Sequence, residues 1–268
     1  MAAARRELTE RNIRLILDFV PNHLALDHPW VAEHPEYFIQ GNADGVRCDM
    51  AMLLLNSIFE RTWGSRAGQK PAAEYWADPI GAVKKLDPEF LFIAEAYWDR
   101  EWELQQQGFD FCYDKRLYDR LARGNAQELR SHLGADLGYQ TKLLRFIENH
   151  DEQRAAAAFS FHKERVATVA MATVPGARLL HEGQLEGRKI KLPVFLRRRA
   201  AEPVNQALED FYEKLQQVVN AAVLREGKWS LCECTGWPDN SSYQNLCNGA
   251  RCMQIRCCPG AENRVTLA

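Results

Sequence analysis

The sequence predicts an α/β fold of the TIM-barrel type, built from about six βα units, and three observations predict it. Short apolar runs rich in β-formers alternate with longer amphipathic ones, the pattern of strands and crossover helices around a parallel sheet. Four of the apolar runs stop abruptly in polar or ionisable residues, as strands do where a barrel opens its functional face. The length, 268 residues, suits a single barrel of about 250 residues as one principal domain.

The elements follow in order. Strands are expected at 14–20, 45–48, 90–94, 109–113, 143–148 and 177–180, where β-branched, aromatic and aliphatic residues cluster. Helices are expected at about 51–62, 72–86, 115–134, 153–173 and 204–225. In the last of these, Leu208, Phe211, Leu215, Val218, Val219 and Ala222 recur at helical spacing, with Pro203 before and Gly227 after. Beyond residue 226 the regular pattern ends. Residues 1–226 are therefore expected to form the barrel domain, and 227–268 an irregular Cys-rich remnant.

Acidic and basic residues nearly cancel, leaving a net charge of −2. The basic residues are scattered apart from Arg197, Arg198 and Arg199, so a nucleic-acid partner is not expected. No apolar stretch reaches the roughly 20 residues a membrane span needs, and Met-Ala-Ala-Ala-Arg-Arg leads into a polar helix. A cytoplasmic protein without a membrane partner is the expectation. Cys232, Cys234, Cys247, Cys252, Cys257 and Cys258 crowd the tail. Their spacings match no familiar zinc-knuckle pattern, so neither metal nor cofactor is expected.

The chemistry sits at the ends of four strands: LILDFVPNH at 15–23, DGVRCDMA at 44–51, FLFIAEAYW at 90–98 and RFIENHDEQR at 145–154. In a parallel barrel such ends converge on one face whatever their separation in sequence. Asp49 follows a buried run, with Arg47 two residues before it on the same side of the strand. An Arg so placed would keep the carboxylate ionised, as a nucleophile requires; a purely structural Arg–Asp bridge fits the same residues. Glu95 lies among Ala94, Ala96, Tyr97 and Trp98, surroundings that raise a carboxyl pKa toward that of a general acid. Asp151 ends an Asn149-His150-Asp151 cluster suited to gripping sugar hydroxyls, and Asp18 with His23 forms a second Asp/His set. Two carboxyl groups about 5–5.5 Å apart cleave a glycosidic bond with retention. Trp30, Tyr37, Phe38, Tyr97 and Trp98 are placed either to stack on sugar faces or to pack the rim.

Together DFVPNH, DGVRCDMA, FIAEA and FIENHD resemble, in order, the four conserved regions of glycoside hydrolase family 13, the α-amylase family. HEGQLEG at 181–187 is similar to the family's segment after the eighth strand, and the resemblance covers roughly residues 5–226. It implies Asp49 as nucleophile, Glu95 as acid/base and Asp151 as transition-state stabiliser. It further implies substrate or nucleophile contacts from Arg47, His23 and His150, and a supporting role for Asp18. The activity implied is retaining hydrolysis of α-glucosidic bonds in starch-like glucans or short gluco-oligosaccharides. Transglycosylation or isomerisation of maltose- or trehalose-like sugars is the enzymatic alternative, and a non-catalytic chain with weak glucan binding is the other. The pattern departs from the family in three places. The first strand here matches the family's third, the domain usually inserted between Gly41 and Asp44 is missing, and the tail lacks the C-terminal β-domain's pattern. The expectation is thus an incomplete (β/α)8 barrel, without calcium, whose open sheet edges invite homo-oligomers.

Overall fold

The computed structural model describes residues 2–20, 29, 33, 43–66, 68–124, 126–193, 198–220 and 229–231. They form two compact units, Met1–Tyr113 and Asp114–Ala268.

In the first unit the strands β1 (Ile16–Phe19), β2 (Gly45–Cys48), β3 (Leu91–Ala94) and β4 (Phe111–Tyr113) lie side by side in chain order. Each neighbouring pair is parallel, with Asp18 beside Arg47 and Arg47 beside Ile93. Parallel neighbours need a crossover. It is supplied by helices Asn56–Trp63 and Ala77–Leu86 before β3 and by Glu101–Gln106 before β4. These helices cover the sheet with Ile58, Ile80 and Leu104, all buried. Trp76 anchors this layer: it stands edge-on to Phe109 with 5.1 Å between ring centres, and its indole N–H donates to Ala51 O at 2.8 Å. Burying a Trp is favourable only when that N–H finds an acceptor.

The second unit pairs β5 (Leu143–Arg145) with β6 (Ala177–Arg178), again in parallel. Helices Lys115–Ala122, Ala126–Leu133 and Phe161–Thr173 pack around it. Their core joins Leu117, Leu133, Ile147, Phe159, Ala167 and Met171, and partly buried Trp229 and Leu231 rest against it. Below that core Asp114 is fully buried, bonded to His132 at 3.0 Å and to Arg145.

All six expected strands are present; Gly45–Cys48 has the expected bounds and the other five are shorter than their apolar runs, because hydrophobic patterning continues past the last ladder bond. The helix expected over 115–134 is two helices, Lys115–Ala122 and Ala126–Leu133, with the first ending before Arg123. Gly124 sits where a side chain would strike Arg120 Cα at 2.7 Å, and the backbone turns there. The 153–173 helix is likewise divided, into Ala155–Ala158 and Phe161–Thr173, the second capped by Ser160 accepting from Lys163 N. Helix Glu101–Gln106 had no clear periodic signal and was not anticipated. No helix among the described residues is long and apolar enough to cross a membrane.

Candidate active site

The site in the first unit grows out of β2. Gly45 begins the strand where nothing larger fits: an added Cβ would meet Leu91 O at 2.5 Å and Ile16 Cδ1 at 2.6 Å. That close approach sets β2 tightly between β1 and β3. Arg47, two residues on, is buried, which only opposite charge can offset.

Three carboxylates supply it. Arg47 Nη1 donates to Asp49 Oδ1 at 2.7 Å and to Asp18 Oδ1 at 3.0 Å. Arg47 Nη2 stands 3.0 Å from Glu95 Oε2 as an ion pair. The Tyr113 ring lies beneath the guanidinium, 5.5 Å from its centroid. Burial works to lower the Arg47 pKa, but the electrostatic contributions of Tyr113 and Glu95 and the hydrogen bond to Asp49 outweigh it and raise it, so the group stays cationic.

Register explains why these residues meet. Asp18 pairs with Arg47 across β1 and β2, and Cys48 pairs with Ala94 across β2 and β3. The ladder then runs one residue further, with Asp49 N donating to Phe19 O and Glu95 N to Cys48 O. Asp49 and Glu95 are therefore the first residues past the ends of neighbouring strands. The Asp49 side chain is 30% exposed while that of Glu95 is 4% exposed, so one carboxylate is reachable and the other shielded.

Glu95 is held at both oxygens. Met50, in a left-handed turn at φ 43, gives its N–H to Oε2 at 2.6 Å. The Tyr97 hydroxyl donates to Oε1 at 3.1 Å. Burial raises the Glu95 pKa, and the Met50, Arg47 and Tyr97 contacts only partly offset it. A carboxyl so raised is suited to deliver a proton. Beside it, burial pushes the Cys48 thiol up to about 12, so it stays a protonated packing group.

In the second unit, Asn149 shapes the other candidate cluster. Its Oδ1 accepts from Asp151 N and Glu152 N, both at 2.9 Å, closing a turn that presents His150 and Asp151. His150 Nε2 and Asp151 Oδ2 are 3.2 Å apart, each side chain 43% exposed. Glu148 faces inward, accepting from Ala155 N and paired with Arg154 at 3.1 Å and His181 at 3.2 Å. Arg47, Asp49, Glu95 and Asp18 are thus brought together in one unit, and His150 with Asp151 in the other. His23, Trp30, Tyr37, Phe38 and the tail cysteines lie outside the described residues. Sequence reading missed the Met50 amide and the ring of Tyr113; neither carries a local signal, because each acts through a partner distant in sequence. Among the described residues no three His, Cys, Asp or Glu side chains are grouped to hold a metal.

No family model matches the chain. Over 154 residues, 54% of its length, it is 28% identical to the α-amylase MalA of Haloarcula japonica and covers 20% of that protein. Its backbone matches an Anoxybacillus α-amylase structure with TM-score 0.63 at 16% identity, covering 86% of this chain and 62% of the other. The chain is thus similar to α-amylases in part of its sequence and in its fold. An α-amylase of Geobacillus thermoleovorans, solved with acarbose, matches this chain with TM-score 0.61 at 17% identity, over 86% of it and 63% of the relative. The fold is accordingly a (β/α)8 TIM-barrel type, represented among the described residues of the chain by six strands. The chain spans less than two thirds of the length of each of these relatives.

Proposed function

We propose that this chain is a retaining glycoside hydrolase acting on α-glucosidic bonds of starch-like glucans or short gluco-oligosaccharides. One observation carries the reading: a single buried guanidinium gathers an accessible aspartate and a shielded glutamate of raised pKa at adjacent strand ends. A retaining pair needs a reachable carboxylate to attack and a second carboxyl able to deliver a proton; Asp49 is the reachable one, paired with Arg47, and burial raises the Glu95 carboxyl.

In this reading Asp49 attacks the anomeric carbon while Glu95 protonates the departing glycosidic oxygen. Glu95 then takes a proton from water as that water displaces Asp49. Asp151 and His150 are assigned to sugar hydroxyls, Arg47 to holding Asp49, and Asp18 to supporting Arg47. His23 keeps its proposed substrate contact from the sequence. The substrate class is carried from the α-amylase relatives, one of them solved with acarbose.

Incubation with a 5-fluoro-α-glucosyl fluoride, followed by peptide mass spectrometry, tests this directly. A glucosyl adduct on Asp49 is expected; no adduct anywhere, under conditions that label an intact α-amylase, would refute catalysis and favour a glucan binder. Chromatography of products from maltoheptaose, maltose and trehalose separates hydrolysis from transglycosylation or isomerisation. We also propose self-association through β1, whose pairing among the described residues is with β2 alone. An exposed strand edge invites such contacts. A single monomeric mass by light scattering over a tenfold concentration series would rule it out.

A further inference from the structure

The two oxygens of Glu95 are not equivalent. Oε2 accepts the Met50 N–H at 2.6 Å and faces Arg47 Nη2 at 3.0 Å. Both neighbours are donors without a lone pair to offer. A proton on Oε2 would therefore point at other protons, and the acid form of Glu95 must carry its hydrogen on Oε1. Oε1 has a neighbour of another kind, the Tyr97 hydroxyl at 3.1 Å, which both donates and accepts.

The backbone fixes that hydroxyl. Glu95 and Tyr97 are two residues apart and their side chains meet, while Ala96 between them is fully buried. Directly after Tyr97 the chain reverses through two left-handed residues, Trp98 at φ 58 and Asp99 at φ 61, and Arg100 N donates to Tyr97 O at 3.3 Å. Consecutive non-glycine residues in that region are costly and persist where the surroundings enforce them.

We propose that Tyr97 is a positioning residue for the acid/base, holding Oε1 as the proton-carrying oxygen by donating to it when Glu95 is ionised and accepting from it when Glu95 is protonated. The proposal rests on the reading of Glu95 as acid/base. In the first step the Oε1 proton passes to the glycosidic oxygen, the bond from that oxygen to the anomeric carbon breaks, and Asp49 bonds to that carbon. The Tyr97 O–H then turns onto the vacated Oε1. In the second step water gives a proton to Oε1 and its oxygen bonds the anomeric carbon, releasing Asp49. Tyr97 keeps its own proton throughout. The other charged or titratable groups around Glu95 are Arg47 and Asp49 from β2, Tyr113 from β4 and, through Arg47 and Tyr113, Asp18 from β1.

The test follows the Glu95 carboxyl by infrared titration of the full chain, its band assigned by its disappearance in Glu95→Gln. Tyr97→Phe removes one hydroxyl and keeps the ring, so the Glu95 midpoint should rise by roughly 0.5–1 pH unit, the excess worth of that hydrogen bond to the ionised over the protonated form. Replacing Tyr97 with 3-fluorotyrosine strengthens the donor and should move the midpoint the other way. On the substrate side, Tyr97→Phe should slow maltoheptaose cleavage more than cleavage of α-glucosyl fluoride, whose leaving group needs little protonation. A midpoint that stays in place in both variants overturns the role of Tyr97. Glu95→Gln that hydrolyses maltoheptaose at the wild-type rate instead sinks the acid/base assignment itself, a separate result.

Discussion

At the scale of single residues the site is organised by Arg47. Its planar fork reaches Asp18 and Asp49 through one nitrogen and Glu95 through the other, which a lysine ammonium at the end of a flexible stem does not reproduce. Removing a partner from a buried ion cluster costs about 3–5 kcal/mol, because the remaining charges stay desolvated. Arg47→Met is therefore expected to lower stability by about that much at neutral pH, measured by urea unfolding, with a smaller loss in acid as the carboxylates protonate. Asp49→Asn behaves differently. The amide keeps an acceptor for Arg47, so urea midpoints should barely move while turnover of maltoheptaose falls to background; undiminished turnover would remove Asp49 from the role of nucleophile. The strand-end positions of Asp49 and Glu95 were legible in the sequence because each directly follows a short, largely apolar run. What Glu95 bonds to was not, because Met50 is 45 residues away and its left-handed turn leaves no pattern in the letters.

At the scale of elements, the strand registers decide whether the charged residues meet at all, and Gly45 guards the tightest register. A methyl there would collide with the Leu91 carbonyl at 2.5 Å, and backbone cannot step aside as a flexible side chain can. Gly45→Ala is expected to destabilise by about 1–3 kcal/mol and to lower activity along with stability, as thermal unfolding and a maltoheptaose assay on the same preparation would show. Equal melting temperatures would mean that β1 and β3 can part without cost. β2 and β3 were readable since both are short apolar runs broken by polar residues, and period two placed Arg47 with Asp49. Helix boundaries were less readable: the apolar positions of 115–134 keep helical spacing through the break, and only Gly124 hints at it. The turn at 149–152 escaped notice for another reason. The Asn149-His150-Asp151 run shows only a polar cluster in the letters, and nothing in it reveals that the Asn149 side-chain oxygen accepts from the backbone N–H groups of Asp151 and Glu152.

At the scale of the whole molecule, the second unit carries buried polar groups that sequence reading did not foresee, since they look like ordinary surface residues until they are folded together. One of them makes the chain's stability depend on pH. Glu164 is buried on helix Phe161–Thr173, and its Oε1 has no hydrogen-bond partner among the described residues. Burial, reinforced by the charge of Glu148 and only partly relieved by Lys189, pushes its pKa up to about 7 from 4.5. Arg154 and His181 are engaged with Glu148, and Tyr212 is bonded to Thr168 and Gln184, so none of them neutralises Glu164. The folded chain therefore retains a proton that the unfolded chain has released between about pH 4.5 and 7. Stability conferred by that proton is fully present below the lower limit and is lost as pH climbs through the upper one, a decline of at most about 3 kcal/mol. Glu164→Gln carries no charge at any pH, so its urea midpoint should change less between pH 5 and pH 8 than that of the wild type and exceed it at pH 8. Parallel curves for the two proteins would show that Glu164 finds a counter-charge on ionising and that the pH dependence arises elsewhere.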